Sequence, residues 1–248
     1  NMIKDLEYIL KKIFFSEKYL LKKRLVRSIN KSYEKELDII NEYSDKSKVA
    51  IDVGVYRGVY TYKLSGLFEK VICFEPNPLL YEYLNKYLTK ILSNIEIYNY
   101  ALSDKTGSTL LKVPNRGKSL FNKNYEELYK LGAATIHENN VFDNYESFQV
   151  KTKKLDELVK KDNIGFIKID VEGHETEVIR GSIELIKRNK PTLLVEIEER
   201  HTKKPIESTI NFIKKLGYEC FQLKENKVKL FNIKEHISKD NNFLFIKK

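Results

Sequence analysis

Val49-Ala-Ile-Asp-Val-Gly-Val-Tyr-Arg-Gly58 is the stretch from which the fold follows. Val49 to Val53 is a short apolar run of strand length, and the helical pattern Val59 to Phe68 comes directly after Gly58. Glycines at such a strand-to-helix turn let the backbone bend sharply and approach a ligand without Cβ clashes. The spacing is Gly-x-x-x-Gly, with Asp52 two residues before Gly54. A dinucleotide fingerprint would read Gly-x-Gly-x-x-Gly, its middle glycine admitting a pyrophosphate. Tyr56 stands at that middle position, so the turn suits a ligand without a pyrophosphate.

Outward from this turn, strands alternate with helices. Lys70 to Glu75 is a second strand, and Leu79 to Leu92 a helix with Leu80, Tyr83, Leu84, Tyr87, Leu88 and Ile91 on one face. Further strands are expected at Ile95 to Leu102, Phe166 to Asp170, Thr192 to Ile197, Tyr218 to Leu223 and Phe243 to Lys247. Helices are expected at Glu175 to Arg188 and Ile206 to Leu216. Continuous apolar strands between amphipathic helices indicate an α/β, doubly wound sheet of about seven strands, mostly parallel and covered on both faces.

Two regions depart from that rhythm. Residues 1–47 read as an N-terminal helical extension, and residues 48–248 as the main domain. Leu20, Leu21, Leu25 and Ile29 recur at helical spacing among Lys18, Lys22, Lys23, Arg24 and Arg27. A basic amphipathic helix can make peripheral contact with an anionic membrane or cap the next domain, and the cap is the preferred reading. The second region is a long insertion, about residues 108–150, within the connection from Ser103 to Asp162. Ser108 to Val113 and Ser147 to Thr152 could pair as a hairpin, and Arg116, Lys118, Tyr125, Tyr129 and His137 lie between them. A connection this long reads as a lid or substrate loop.

The chain of 248 residues has a net charge of +10, which invites a nucleic-acid partner. Only 7 of its 45 basic residues are Arg, however, and Lys is spread through nearly every segment. Bidentate base readout favours Arg, so a Lys-rich surface is preferred over a nucleic-acid groove. With 2 Cys the chain is no disulfide scaffold, and both are expected to be buried and reduced. The apolar residues near the N-terminus are interrupted by Lys pairs from Lys11 onward, so no signal-peptide layout is read there. A cytoplasmic setting is the expectation.

Ionisable residues gather at the expected strand ends. Glu75 ends the second strand before Pro76-Asn-Pro78 and could accept hydrogen bonds from both ribose hydroxyls of a nucleoside. Asn99-Tyr-Ala-Leu-Ser-Asp104 ends the third, where an adenine could rest on Ala101 and Leu102. Lys168-Ile-Asp-Val-Glu-Gly-His-Glu175 follows the fourth, and Glu196 ends the fifth. Acids at a helix start are also favoured by the macrodipole, which accounts for Glu175 and Glu177 better than for Asp170.

Taken in order, Asp52 to Gly54, Phe74 to Pro76, Ala101 to Asp104, Leu155 to Leu158 and Lys168 to Glu175 resemble the FkbM-type family of S-adenosylmethionine-dependent methyltransferases. Gly181 and Pro191 match as well, whereas Val55-Tyr56 replaces the family's usual Ala-Asn. The resemblance implies O-methylation, often of a sugar hydroxyl in a glycan or glycosylated metabolite. It implies cofactor contacts among Asp52, Gly54, Tyr56, Arg57, Gly58, Thr61, Glu75, Pro76, Ala101, Leu102 and Asp170. A sugar hydroxyl should lose its proton as it attacks, so a base is expected: His174 first, then Asp170 and Glu172. Glu196 could orient that base, or with Asp170 hold Mg²⁺, although no spacing fixes a metal.

Other readings fit less well. A short-chain dehydrogenase would carry Tyr-x-x-x-Lys well after the glycines, but Tyr8/Lys12 and Tyr19/Lys23 precede them. An amine-directed nucleic-acid methyltransferase would show Asn/Asp-Pro-Pro-aromatic where Asp170-Val-Glu-Gly stands. A phosphate-binding loop at Gly117-Lys-Ser119 lacks its earlier glycine, which would fall at Lys112. A methyltransferase on another small-molecule or nucleic-acid acceptor, or a non-catalytic glycan- or membrane-binding module, is the alternative. Neither the acceptor nor the oligomeric state follows from the sequence.

Overall fold

The computed structural model describes residues 14–30, 36–114, 134–136, 144–224, 227–236 and 241–248. Its centre is an eight-stranded sheet. Five strands run parallel: β1 (Val49–Val53), β2 (Lys70–Phe74), β3 (Ile95–Tyr98), β7 (Ile164–Ile169) and β8 (Thr192–Glu196). The last strand, β11 (Asn242–Lys247), lies antiparallel between β8 and β9 (Tyr218–Lys224), and β10 (Lys227–Leu230) pairs with β9 at the edge. The order β10-β9-β11-β8-β7-β1-β2-β3 reverses beside β1, which opens a crevice at the carboxyl ends of β1 and β7.

Both faces are buried, which is why the strands read as apolar runs rather than alternating ones. Val49, Ile51, Val53, Ile167 and Ile169 pack on one face with residues of the helices Glu175–Arg180, Ile183–Asn189 and Ile206–Lys215. Ala50, Phe166, Val71, Cys73 and Leu194 pack on the other. There they meet α1 (Glu17–Asn30), α3 (Val59–Ser65) and α4 (Pro78–Tyr87), with the short α2 (Glu36–Ile39) alongside. Leu21 and Leu25 of α1 are fully buried against Leu84 and Leu88, and the Tyr83 hydroxyl donates to Glu17 at 3.1 Å. The apolar stripe of this basic helix is therefore spent on its own fold. No helix among the described residues is long and apolar enough to cross a membrane.

Several elements differ from expectation. The third strand breaks after Tyr98, because Asn99 donates to the carbonyls of Glu75 and Pro76 at 2.8 and 3.0 Å and turns the chain. Ala101–Leu102 becomes β4 of a second sheet, ordered β4-β6-β5. In that sheet β5 (Gly107–Pro114) pairs antiparallel with β6 (Tyr145–Lys153), so Ser108 opposes Lys151 and Leu111 opposes Phe148. The helix expected over Glu175 to Arg188 is two helices, parted at Gly181-Ser182. A Cβ on Gly181 would stand 2.0 Å from the Ser103 carbonyl oxygen, so the break lets the loop after β4 pack against the helix. The helix after β2 stops at Tyr87, short of Leu92. The edge strand β10, Lys-Val-Lys-Leu, was not anticipated and brings the main sheet to eight strands. Cys73 and Cys220 are both buried free thiols. Arg116, Lys118, Tyr125, Tyr129 and His137 fall outside the described residues.

Candidate active site

The crevice at the sheet's switch point is an open cleft lined from several strand ends. Gly54 and Tyr56 reach it from the turn after β1, Glu75 and Pro76 from the end of β2, and Ala101 and Leu102 from β4. Asp170, Glu172 and His174 reach it from the loop after β7. The structure thus brings together residues up to 120 positions apart in the chain. Asp52, Arg57, Gly58 and Thr61 stand outside the lining. The Arg57 guanidinium lies 4.8 Å from the Tyr56 ring centre, and Gly58, with φ +75°, faces the apolar side chains of Leu84 and Leu88.

Asp52 and Thr61 are buried beneath the turn. The Thr61 hydroxyl donates to Asp52 Oδ2 at 2.5 Å, while Oδ1 has no hydrogen-bond partner in the structure. Burial pushes the Asp52 carboxyl up to about 7, against the pull of Thr61 and Lys168. Glu75 is likewise buried and raised to about 7 by desolvation, although backbone N–H groups of Tyr56 and Asn77 donate to its two oxygens at 2.8 and 2.9 Å. Each carboxylate oxygen keeps accepting capacity beyond those bonds. Asn77 caps α4 through the Leu79 N–H, with Pro78 at the first helical position, so the rigid exit after Glu75 is a helix start.

The loop after β7, like the turn after β1, holds left-handed backbone at the cleft. Glu172 has φ +54° and Gly173 φ +103°, so a non-glycine residue is held in the left-handed region at the site. The Thr135 hydroxyl donates to the Glu172 carbonyl at 2.8 Å, and Thr135 exchanges two backbone hydrogen bonds with Lys112 of β5. Ala134 and Ile136 on either side of it line the cleft. His174 Nε2 lies 2.9 Å from the Ser103 hydroxyl, and its Nδ1 lies 3.8 Å from Glu177. Glu175, next along, is buried, accepts the Gly173 N–H at 2.9 Å, and is raised to about 7 by desolvation.

Glu196 is driven up to about 9 by burial and by the charge of nearby Asp170. Lys168 Nζ lies 3.9 Å from both Asp170 Oδ2 and Glu196 Oε2. That donor set does not suit a divalent cation, since an ammonium already faces both carboxyls. Among the described residues no group of three or more His, Cys, Asp or Glu side chains is arranged to hold a metal. The Mg²⁺ expectation therefore finds no support. His201 had no assigned role. Its Nε2 lies 2.7 Å from Glu172 Oε2 and 2.9 Å from Glu198 Oε2. Burial works against its charge, but Glu172 and Glu198 outweigh it and raise its pKa. The only sequence signal for His201 was its place after the fifth strand.

Residues 52–220 match the methyltransferase FkbM domain family. The chain belongs to the FkbM methyltransferase family. Its relatives include methyltransferase sdnD of Sordaria araneosa, 29% identical over 154 residues, which are 53% of this chain and 59% of that protein. The FkbM-family chain thus spans little more than half the length of this curated relative. Among solved structures, methyltransferase FkbM from Methylobacillus flagellatus is similar at 17% identity and a TM-score of 0.49, over 81% of this chain and 44% of that one. A SAM-dependent methyltransferase from Aquifex aeolicus is similar at 15% identity and a TM-score of 0.45, over 94% of this chain and 98% of that one.

Proposed function

We propose that this FkbM-family chain is an S-adenosylmethionine-dependent O-methyltransferase acting on a hydroxyl of a sugar in a glycan or glycosylated metabolite. The observation that carries the reading is one cleft lined together by the Gly54 turn, by Glu75 at the end of β2, and by Asp170 and Glu172 after β7. The residues fit the cofactor. The buried Glu75 carboxylate stands where a ribose diol would be received, and Leu80, Ala101, Leu102 and Leu111 form an apolar wall for adenine. Asp170 and Glu172 supply negative charge for a sulfonium and an ammonium. Bound there, the cofactor supplies an electrophilic methyl group. An acceptor hydroxyl attacking that methyl group would release its proton, and a protein carboxylate would take it up.

Asp170 is the proton acceptor that the geometry favours. Its side chain is 31% exposed at the cleft, whereas both His174 ring nitrogens already face protein groups, Ser103 and Glu177. His174 then orders the loop and the acceptor, Glu172 orients the acceptor from the same loop, and Glu196 braces Asp170. Positioning the three reacting atoms in line supplies much of the rate. No Lys or Arg is found among the described lining residues, which supports a neutral small-molecule acceptor over a nucleic acid. Within a main domain of residues 48–248, the insertion brings Ala134 and Ile136 to the cleft and is tied to the Glu172 carbonyl at Thr135. Of residues 1–47, the described α1 and α2 cap the sheet, and any membrane contact is peripheral, by the basic face of α1. A cytoplasmic setting suits the two reduced thiols.

Calorimetry with S-adenosylhomocysteine tests the cofactor half, and transfer of a labelled methyl group to a panel of free and nucleotide-linked sugars tests the acceptor half. No heat at millimolar nucleoside would sink the proposal.

A further inference from the structure

The helix α1 turns two different faces inward and outward. Leu20, Leu21 and Leu25 are buried against the layer of α3 and α4, and Leu25 reaches within 3.9 Å of where a Cβ on Gly58 would stand. Glu17 is the only acid of the helix, and it is engaged on that inner side by the Tyr83 hydroxyl. At about 3.6 residues per turn, Tyr19 and Val26 lie in one stripe opposite the buried leucines, with Asn30 at its far end. Lys18 and Lys22 flank the stripe on one side, Lys23 and Arg27 on the other. All four cations are exposed. Phe15, just before the helix, extends the stripe by stacking on Tyr19, with ring centres 5.0 Å apart and planes 17° apart. The Ser16 hydroxyl fixes this entry by accepting the Tyr19 N–H at 3.3 Å.

This outer face is poorly suited to water. Phe15 is 44% exposed, Tyr19 48% and Val26 38%, and Phe14 beside them 73%, so large apolar groups gather where solvent-facing helices normally carry polar ones. Lys18 with Lys22, and Lys23 with Arg27, are like charges four residues apart, which repel. Among the described residues no acid pairs with any of the four. An anionic lipid surface answers both features: the rings and Val26 gain by entering the acyl boundary, a Tyr hydroxyl suits the headgroup level, and the cations meet negative heads. A nucleic-acid strand fits less well. The face is the convex outside of a helix rather than a groove, three of its four cations are Lys, and Val26 offers a base nothing to stack on.

We propose that the outward face of α1 docks on an anionic membrane, with Phe15, Tyr19 and Val26 entering the headgroup region and the four flanking cations meeting anionic lipid heads. This deepens the peripheral contact stated above for α1. It needs neither cofactor nor acceptor, so it stands or falls apart from the methyltransferase reading.

The test sediments the full chain with vesicles of phosphatidylcholine alone, or with about one third phosphatidylglycerol, at ionic strengths of about 0.1 and 0.5 M. Partition onto the anionic vesicles, weaker at the higher salt, is the expected result. Lys22→Ala with Lys23→Ala should lower it about 25-fold, near fivefold for each cation lost. Lys214→Ala with Lys215→Ala removes equal charge from the helix Ile206–Lys215, on the other face of the sheet, and should change partition less than about threefold. Phe15→Ser with Tyr19→Ser should lower it about tenfold or more, although the charge is unchanged. An equal fall in both Lys pairs, or full partition after loss of both rings, would overturn the proposal, because overall charge would then explain the binding. So would absence of vesicle binding in the wild-type chain, whether the α1 substitutions then abolish binding to a single-stranded oligonucleotide, abolish a dimer seen by sedimentation velocity, or change nothing. Urea midpoints show that each variant is folded, and should one α1 pair not fold, the other decides. Failure to bind S-adenosylhomocysteine would defeat the cofactor reading and leave the vesicle result as it is.

Discussion

A Cβ placed on Gly54 would stand 1.8 Å from the carbonyl oxygen of Asp170. The turn after β1 and the loop after β7 are packed backbone to backbone, and the cleft is built on that contact. The Asp170 N–H donates to the Val53 carbonyl at 3.0 Å, and the Gly54 N–H to the Phe74 carbonyl at 2.9 Å. Gly54 also has φ +87°, which a Cβ disfavours.

Gly54→Ala therefore strains the backbone and forces the two loops apart. The expected loss is about 2 to 5 kcal/mol, combining a left-handed alanine with overpacking against backbone. Urea unfolding measures it, and a change within about 0.5 kcal/mol, the range of ordinary surface substitutions, would show that the loops move apart freely.

Stability should fall as pH rises from about 5.5 to 8. Asp52, Glu75 and Glu175 are each raised to about 7 and Glu196 to about 9, mainly by burial. Their unfolded counterparts ionise near 4. Across this window the native state therefore holds more protons than the unfolded one, and the slope of stability against pH is negative. His201, also raised, loses its contribution in the same direction. Asp52→Asn removes one term and should flatten the dependence, read from urea midpoints at the two pH values. A steeper dependence in the variant would contradict the assignment.

Glu75→Gln should weaken S-adenosylhomocysteine binding by about 10- to 100-fold, the range for losing a charged hydrogen-bond acceptor. It also replaces the carboxylate that the Tyr56 and Asn77 N–H groups share, so both loops loosen. Calorimetry decides the matter: undiminished affinity would remove Glu75 from the ribose site.

Asp170→Asn and His174→Ala separate two of the candidate bases. Loss of the base should reduce methyl transfer by about 100-fold or more, with cofactor affinity preserved. Asp170→Asn is expected to do this, and His174→Ala to cost less than about tenfold, since it removes ordering contacts with Ser103 and Glu177. The reverse ranking would make His174 the base.

Much of this was legible in the sequence. Apolar runs at Val49, Lys70, Phe166 and Thr192 identified the parallel strands, because burial on both faces leaves no other pattern. Glycine spacing and the acids at strand ends identified Gly54, Glu75 and Asp170 as neighbours in one crevice, because a doubly wound sheet gathers its strand ends there. The reason for Gly54 was not legible. Sequence suggested room for a ligand, whereas the structure shows room for the Asp170 carbonyl. Nor could spacing reveal that Asn99 would split the third strand, that Thr135 would bond the Glu172 carbonyl from the insertion, or that Lys168 and His201 would each face two carboxylates. Local propensity and periodicity act over a few residues and are written in the chain itself. Contacts between residues 37 or 71 positions apart, such as Thr135 with Glu172 and Ser103 with His174, arise only when the strands have found their order and buried their charges together.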